Sequence, residues 1–262
     1  MKILLTGYRG FIGQNFLKSL TQYDVILHEW QDPLPNIKKC DWVIHLGALT
    51  STTERDISKI LRQNYDFSCW LFDQCGHYDV NLQYASSASV YGKSQSFCET
   101  DMPKPESPYA WSKFLFEHYV NNNLFKYPNI IVQGFRYFNV YGEHEDHKLD
   151  QASPYHKFLK QALATGEIIL FENSDKYLRD FVPVEKVVDI HLKFLMIKRS
   201  GVWNLGTGHA KSFQSIAEQI SKITKAKIKY IPMPEELSKQ YQSYTCADLT
   251  KLLSTLHEEG YS

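Results

Sequence analysis

The first thirteen residues restrict the possible folds of this chain more than any other part of it. A short apolar run, Ile3-Leu4-Leu5, leads into a turn of the form Gly7-x-x-Gly10-x-x-Gly13, and apolar residues with helical spacing follow. A continuous apolar run is typical of a buried parallel strand, and glycines permit a tight turn into a helix. Amide groups at the start of that helix could bind a phosphate, although a turn without any ligand would give the same pattern.

Strands and helices alternate along the rest of the chain. Apolar runs predict further strands at about 25–29, 42–46, 82–85, 130–136, 168–171, 202–206 and 227–231. Helical spacing predicts helices ending near residues 76 and 122, and others at about 154–165, 184–198 and 212–223. This alternation indicates an α/β fold with a Rossmann-like, doubly wound parallel sheet. Residues 1–142 with about 182–206 are predicted to form a dinucleotide-binding domain, and about 143–181 with 207–262 a smaller C-terminal substrate-binding lobe.

The connection between the second and third strands is unusually short. It holds Pro33 and Pro35 and spans only about a dozen residues, too few for a helical crossover together with another strand. The sheet is therefore predicted to lack one peripheral element, or to have a very short one.

The composition argues against several classes of protein. The formal net charge is zero and no long basic block occurs, so a nucleic-acid partner is not expected. No segment approaches the roughly 18 apolar residues of a membrane span, and the N-terminal apolar run is too short for a signal peptide. The five cysteines contain no CxxC motif. They fit a reduced, cytoplasmic setting.

Tyr109 and Lys113 are the candidates for proton transfer. Four residues apart, their side chains would lie on one face of a helix. A free tyrosine has a pKa of about 10, and a neighbouring ammonium group favours the phenolate and lowers that pKa. Ser87, in a serine cluster beyond the strand at 82–85, would add a third polar group where open α/β sheets bind ligands. The two-residue pattern alone occurs by chance in many helices, so its meaning depends on these neighbours.

Two residues give opposite indications about a dinucleotide. Glu29, near the end of the second strand, could accept hydrogen bonds from an adenosine ribose, as in NAD. Arg9, in the glycine turn, could pair with the 2′-phosphate of NADP. The sequence leaves the choice open.

Taken together, the glycine turn, Ser87 and Tyr109-x-x-x-Lys113 resemble the extended short-chain dehydrogenase/reductase family of nucleotide-sugar enzymes. This set spans residues 1 to about 142. Within the family, further stretches are most similar to its ADP-L-glycero-D-manno-heptose 6-epimerase branch. These stretches lie at residues 51–54, 84–88, 109–116, 134–142, 147–148, 179–182, 204–208, 241–242 and 247–249.

The resemblance implies specific roles. Tyr109 would be one acid/base, Lys148 a second on the opposite face of the sugar, Lys113 a ligand of the nicotinamide ribose, and Ser87 a partner of the reacting oxygen. Tightly bound NADP or NAD would contact Gly7, Arg9, Gly10, Phe11, Ile12, Gly13, Glu29, Leu46, Gly47, Ala48, Asn64, Lys113 and Val140. The nucleotide-sugar pocket would be lined by Ser51, Asn139, Phe171, Arg179 and Tyr241. A homo-oligomer is also expected.

The implied activity is inversion at C6 of ADP-D-glycero- and ADP-L-glycero-β-D-manno-heptose, a step toward the lipopolysaccharide core. Hydride would leave to the cofactor, the ketone would turn, and hydride would return to its other face, so two proton-handling groups suit the two orientations. The chain departs from the family in its short second crossover, which leaves the adenine contacts uncertain, and in ending at Ser262, earlier than its members usually do.

Other activities remain alternatives. A 4,6-dehydratase would be expected to carry acidic residues directly after Ser87, where this chain has Ala88 and Ser89. A 4-epimerase or a reductase of the same family stays open, with Lys148 favouring inversion at C6. A non-catalytic nucleotide-sensing module would be expected to have lost Ser87, Tyr109 or Lys113, and all three are present.

No metal site is predicted. His144-x-x-His147 is one residue too short for HExxH, and the polar loop that contains it is expected to face a charged substrate. His45 and His191 are expected to be ordinary packed or capping residues, and the cysteines to be structural.

Overall fold

The computed structural model describes residues 1–50, 54, 56–234 and 242–261, with only the backbone at Asp150. Its strands are β1 (Lys2–Thr6), β2 (Asp24–His28), β3 (Trp42–His45), β4 (Asn81–Ser87), β5 (Val132–Tyr137), β6 (Asn139–Tyr141), β7 (Glu167–Phe171), β8 (Leu178–Pro183), β9 (Gly201–Leu205), β10 (Ala210–Ser212), β11 (Lys227–Ile231) and β12 (Tyr244–Thr245). Its α-helices are α1 (Phe11–Ser19), α2 (Ile57–Leu61), α3 (Phe67–His77), α4 (Pro108–Asn123), α5 (Pro154–Thr165), α6 (Val184–Phe194), α7 (Phe213–Thr224) and α8 (Thr250–Glu258).

Six strands form one parallel sheet in the order β2-β1-β3-β4-β5-β9. The run Ile3-Leu4-Leu5 in β1 is fully buried, as a strand covered by helices on both faces requires. All six strands end at the same edge, where open α/β sheets bind ligands. The predicted doubly wound α/β sheet is confirmed.

The missing peripheral element is confirmed as well. Strand β2 is the edge of the sheet, and residues 29–41 contain neither helix nor strand. Because β1 lies between β2 and β3 in the sheet, this short connection crosses from β2 past β1 to β3 without a helix.

Helices cover both faces of the sheet. On one face, α1, α6 and α8 supply Phe16, Val187, Phe194 and Leu252 to a core that includes Trp203 of β9. On the other face, α3 and α4 bury side chains against β3 to β5. The last helix is therefore part of the packing of the main sheet, and Trp203 Nε1 donates to Thr255 Oγ1 at 3.0 Å.

A second group of elements lies beyond the main sheet in the chain. β7 pairs with β11, and α5 and α7 pack on this pair through a separate apolar core. β8 joins β6, β10 and β12. Helix α5 has the predicted bounds, whereas α6 ends at Phe194, four residues earlier than predicted, because the chain turns there toward β9. The division into two domains stays a prediction.

Candidate active site

The glycine turn fits tightly against the end of β3. Gly7 has a φ of +73°, and a Cβ on it would lie 2.6 Å from Gly47. A Cβ on Gly13 would lie 2.1 Å from the Gly7 carbonyl oxygen. Side chains at these two positions would force the turn apart, so the glycines are a steric requirement of this strand–turn–helix unit. The amides at the start of α1 are thereby left open to a ligand.

A cleft of about 520 Å³ lies along this turn. Of the predicted cofactor residues, it is lined by Gly7, Gly10, Phe11, Ile12, Gly13, Glu29, Leu46, Gly47 and Ala48. Lining residues that sequence reasoning did not assign to the cofactor are Thr6, His28, Trp30, Gln31, Thr50, Gln63, Phe67, His147 and Gln151. Five of these nine lie at or shortly after the ends of β1, β2 and β3, and the spacing of the nine along the chain carries no common pattern.

Glu29 and Arg9 take different positions. The Glu29 carboxylate lines the cleft and accepts a hydrogen bond from the Arg9 backbone N–H at 2.7 Å. The Arg9 side chain is exposed, donates to the Tyr8 hydroxyl at 3.0 Å, and does not line the cleft. Near the end of β2, the cleft thus presents the Glu29 carboxylate, and the Arg9 guanidinium is turned away from it.

Asn64 supports the cleft from behind. It is 1% exposed and lies in a single π-helical turn, Arg62–Asp66, between α2 and α3. Its amide oxygen accepts from the Leu49 N–H at 2.7 Å, and its amide nitrogen donates to the Leu49 carbonyl at 3.0 Å and to Ser112 Oγ at 3.1 Å. Asn64 therefore fixes the loop after β3, and the cavity wall itself is formed by its neighbours.

A second cavity of about 320 Å³ continues from this cleft. The two share the lining residues Phe11, Ile12, Leu46, Ala48, Thr50, Lys148 and Gln151. The second, called the catalytic cavity below, brings together the predicted Ser87, Tyr109, Lys113, Asn139, Val140 and Lys148. Residues separated by about sixty positions along the chain thus meet at the carboxyl edge of the sheet, as predicted.

Tyr109 lies at the start of α4, whose N-cap is Ser107 and whose first residue is Pro108. Burial raises the pKa of Tyr109, and a hydrogen bond with Ser87 opposes that rise. The predicted lowering of this pKa by Lys113 is wrong for this structure. The Lys113 ammonium lies 5.9 Å from the centre of the Tyr109 ring, and the cost of burying a phenolate outweighs it.

Lys113 is buried one helical turn further along α4. Its ammonium donates to the Ala85 carbonyl at 2.9 Å. Burial lowers its pKa to about 8, and the charge of Glu117 acts in the opposite direction. Glu117 is itself held by Arg136, with Nη2 2.6 Å from Oε2, so the carboxylate is largely neutralised by a closer cation. Lys113 can therefore change charge at mildly alkaline pH.

Lys148 reaches the cavity from a loop between β6 and α5. The buried Glu145 closes that loop, accepting from the backbone N–H of Gly142 at 3.0 Å and of Ser153 at 2.6 Å. The Lys148 ammonium lies 5.2 Å from the centre of the Phe11 ring, and burial lowers its pKa. Its amine is consequently closer to the neutral form than that of an ordinary lysine.

The remaining predicted substrate residues are more scattered. Asn139 lines the catalytic cavity, whereas Phe171 and Arg179 line neither cavity. The guanidinium of Arg179 donates to the carbonyls of Leu178 and Gln242, and it lies 5.7 Å from the centre of the Phe213 ring. Ser51 and Tyr241 lie outside the described residues. Of the described members of the predicted substrate pocket, only Asn139 therefore lines either cavity.

Two negative findings apply to the described part of the chain. Over residues 1–50, 54, 56–234 and 242–261, no group of three or more His, Cys, Asp or Glu side chains could hold a metal ion. Within those same ranges, every helix is too short or too polar to cross a bilayer.

Solved structures with the same architecture include several enzymes that act on nucleotide sugars. A UDP-N-acetylglucosamine 4-epimerase of Methanobrevibacter ruminantium matches with a TM-score of 0.87 and 23% identity, over 97% of this chain and 91% of that one. An ADP-L-glycero-D-manno-heptose-6-epimerase of Helicobacter pylori matches with a TM-score of 0.83 and 26% identity, over 100% of this chain and 90% of that one. A UDP-glucose 4-epimerase of Thermus thermophilus matches with a TM-score of 0.82 and 23% identity, over 97% and 92%.

A family model gives the same result from the sequence. It is described as the NAD dependent epimerase/dehydratase family and matches residues 3–206, which include the glycine turn, Ser87, Tyr109 and Lys113. The chain therefore belongs to the NAD-dependent epimerase/dehydratase family of enzymes.

Proposed function

We propose that the protein inverts C6 of ADP-D-glycero-β-D-manno-heptose, giving the L-glycero epimer for the lipopolysaccharide core, with a tightly bound nicotinamide dinucleotide. One observation carries this proposal: Tyr109 and Lys148 line the same cavity from different walls, with pKa values shifted in opposite directions. An epimerase that oxidises and re-reduces one carbon needs a proton acceptor in one orientation of the sugar and a proton donor in the other.

The residues of the cleft fit a dinucleotide. The turn that Gly7 and Gly13 keep free of side chains would receive the pyrophosphate on the amides of α1. Glu29 would accept hydrogen bonds from the adenosine ribose. When bound, the nicotinamide would supply the hydride acceptor and later the hydride donor.

The charges suggest an order for the proton transfers. Burial keeps the phenol of Tyr109 protonated and favours the neutral amine of Lys148. Lys148 would then take the proton of the substrate hydroxyl as its carbon loses hydride. With the ketone in its other orientation, hydride would return to the other face and Tyr109 would give its proton to the oxygen, which Ser87 would also hold. Proton exchange with solvent, which takes the proton from Lys148 and returns one to Tyr109, would then restore both groups. Lys113 would bind the nicotinamide ribose.

The same geometry leads us to propose NAD as the preferred cofactor. The Glu29 carboxylate occupies the end of β2, where a 2′-phosphate would meet like charge, and the Arg9 guanidinium is bonded to Tyr8. Equilibrium dialysis against NAD and NADP would test this proposal. Equal affinity for both would contradict it.

The substrate proposal is tested by incubating the protein with NAD and ADP-D-glycero-β-D-manno-heptose and resolving the C6 epimers. Conversion is expected in the wild type and in Lys160→Met, an exposed lysine on α5. Lys148→Met should bind NAD normally and give no net inversion. If NAD binds and no heptose is inverted, the substrate assignment fails, and inversion of a UDP-hexose at C4 in parallel reactions would replace it. The homo-oligomer stays a prediction.

A further inference from the structure

A line of buried polar side chains connects helix α6 to the catalytic cavity. Tyr137, at the end of β5 and beside Ser87 of β4, lies with its hydroxyl 2.7 Å from His191 Nε2. His191 Nδ1 lies 2.8 Å from Gln83 Oε1, and Gln83 Nε2 lies 2.9 Å from Gln133 Oε1. Gln83, Gln133 and His191 are each 0% exposed, and of the four only Tyr137 lines the cavity. These four residues are called the amide relay below.

The direction of each hydrogen bond follows from the far end of the relay. Gln133 Nε2 lies 3.1 Å from the Phe194 carbonyl and 2.9 Å from the Ile197 carbonyl. Carbonyl oxygens only accept, so the Gln133 nitrogen faces them and its Oε1 accepts from Gln83. Gln83 Nε2 also donates to the His191 carbonyl at 3.0 Å, so Gln83 Oε1 is the atom that faces the imidazole. The imidazole must therefore carry a proton on Nδ1.

The other ring nitrogen is then fixed as well. Burial lowers the pKa of His191 to about 3, so the ring is neutral and holds one proton only. With that proton on Nδ1, Nε2 can only accept, and the Tyr137 hydroxyl must donate to it. The proton of Tyr137 thus points toward His191, so the phenol oxygen of this cavity-lining residue can only accept from any further partner.

We propose that the relay makes Tyr137 an acceptor-only group in the cavity wall, and that its oxygen accepts a hydrogen bond from the nicotinamide carboxamide. This inference rests on the proposed function. The nicotinamide must lie in this cavity, because hydride transfer requires it beside the carbon whose hydroxyl Tyr109 and Lys148 serve. The carboxamide N–H₂ is the only conventional donor on that ring, whereas sugar hydroxyls donate and accept and need no acceptor-only partner. His191 is a positioning residue that acts through Tyr137.

Binding of two dinucleotides tests the contact with the carboxamide. In 3-acetylpyridine adenine dinucleotide an acetyl group replaces the carboxamide, so the N–H donor is lost. Wild-type protein should bind this analogue roughly five-fold more weakly than NAD, the size of one neutral hydrogen bond. Tyr137→Phe should reduce that ratio to about one. Tyr84→Phe is the matched control, since its buried hydroxyl has no partner among the described residues and lines neither cavity.

The outcomes separate the two proposals. Failure of the wild type to bind any nicotinamide dinucleotide would contradict the proposed function. Normal NAD binding with an undiminished ratio in Tyr137→Phe would overturn the inference about Tyr137 alone. That inference would also be overturned if the variant lost affinity for the nucleotide sugar and kept the ratio.

The relay itself can be observed without any ligand or activity. Nitrogen-15 NMR of histidine-labelled protein should show His191 as the neutral Nδ1–H form from pH 5 to 9. Because Gln83 sets this form, Tyr137→Phe should leave it unchanged. An Nε2–H or a charged ring would overturn the inference, since Tyr137 would then have no reason to donate to His191.

Discussion

The two lysines of the catalytic cavity reach it from very different supports. Lys113 is 6% exposed and belongs to α4, a 16-residue helix packed on the main sheet. Lys148 lies in a short loop next to Leu149, which has a φ of 46°, and the loop is closed by the hydrogen bonds of Glu145. The side of the cavity that carries Lys113, called the α4 wall below, is thus fixed by the core of the sheet. The side that carries Lys148, called the loop wall, is held by the carboxylate of Glu145. Changes at Glu145 should therefore alter the position of Lys148, and with it the activity.

The largest expected effect lies on the α4 wall. Tyr109→Phe removes a proton-transfer group while Ser87 and Lys113 stay in place, so turnover should fall by about 10³-fold. NAD affinity should change by less than about two-fold, because no hydrogen bond to the pyrophosphate is lost. Turnover is measured by epimer resolution and affinity by calorimetry. A variant with turnover near that of the wild type would show that the proton is handled elsewhere.

The charge of Lys113 should give the α4 wall a distinct dependence on pH. Its pKa of about 8 means that the ammonium is lost as pH rises through that value, and activity that needs the charge falls with it. Lys113→Arg keeps its charge and should move this alkaline limb upward. Rate profiles from pH 6.5 to 10 for the wild type and Lys113→Arg would show this shift of the alkaline limb. Coincident profiles would contradict the assignment of that limb to the charge of Lys113.

The lowered pKa of Lys113 also predicts that stability, unlike activity, rises with pH. Lys113 has a lower pKa in the folded protein than its ordinary value of 10.5, so the unfolded chain binds more protons between about pH 8 and 10.5. The free energy of unfolding therefore gains a contribution over this window, about 1.4 kcal/mol per pKa unit. Urea titrations of wild type and Lys113→Met at pH 7.5 and 10 isolate it. Equal pH dependence in the two would count against a buried, titrating Lys113.

The loop wall should respond to a single carboxylate. Glu145→Gln keeps the shape but replaces one acceptor oxygen by a donor facing the N–H groups of Gly142 and Ser153. We expect turnover to fall by about ten-fold as Lys148 loses its position, with a loss of roughly 1.5–3 kcal/mol in stability. Glu143→Gln is the control, because the Glu143 side chain forms an exposed pair with Lys18 and its backbone carbonyl, which accepts from Asn15, is unchanged by the substitution. Equal behaviour of the two variants would show that Glu145 does not hold the loop.

The smallest expected effect is the loss of a helix cap, and it should differ between Ser107 of α4 and Ser153 of α5. Ser107 Oγ accepts from the Ala110 N–H at the start of α4, so Ser107→Ala should cost about 1 kcal/mol and leave turnover within two-fold. Ser153 caps α5 in the same way and also donates to Glu145, so Ser153→Ala should cost more and lower turnover. Thermal unfolding with rates at one pH would compare them. The reverse order would contradict the contrast between the walls.

Local features of the fold were predictable because they depend on neighbours in the chain. The strand, glycine turn and helix at residues 2–19 follow from apolar periodicity and from the lack of space for a Cβ at Gly7 and Gly13. The lack of a helix after β2 was likewise predictable, because the connection is too short to hold a helix and another strand. The grouping of Ser87, Tyr109 and Lys113 follows from the rule that parallel strands end at one edge.

Other features could not be read from the sequence, because they depend on contacts between distant segments. Asn64 holds the loop after β3, Arg179 bonds to backbone carbonyls, and His191 joins a relay to Tyr137 instead of simply packing. The pKa of Tyr109 is the clearest case: spacing indicated a lowered value, and burial by the folded chain raised it. Sequence by itself determined the sheet, its glycine turn and which residues are the candidates for proton transfer. Only the tertiary structure decided the pKa shifts of these groups and the directions of their hydrogen bonds, since both depend on burial and on contacts made across the fold.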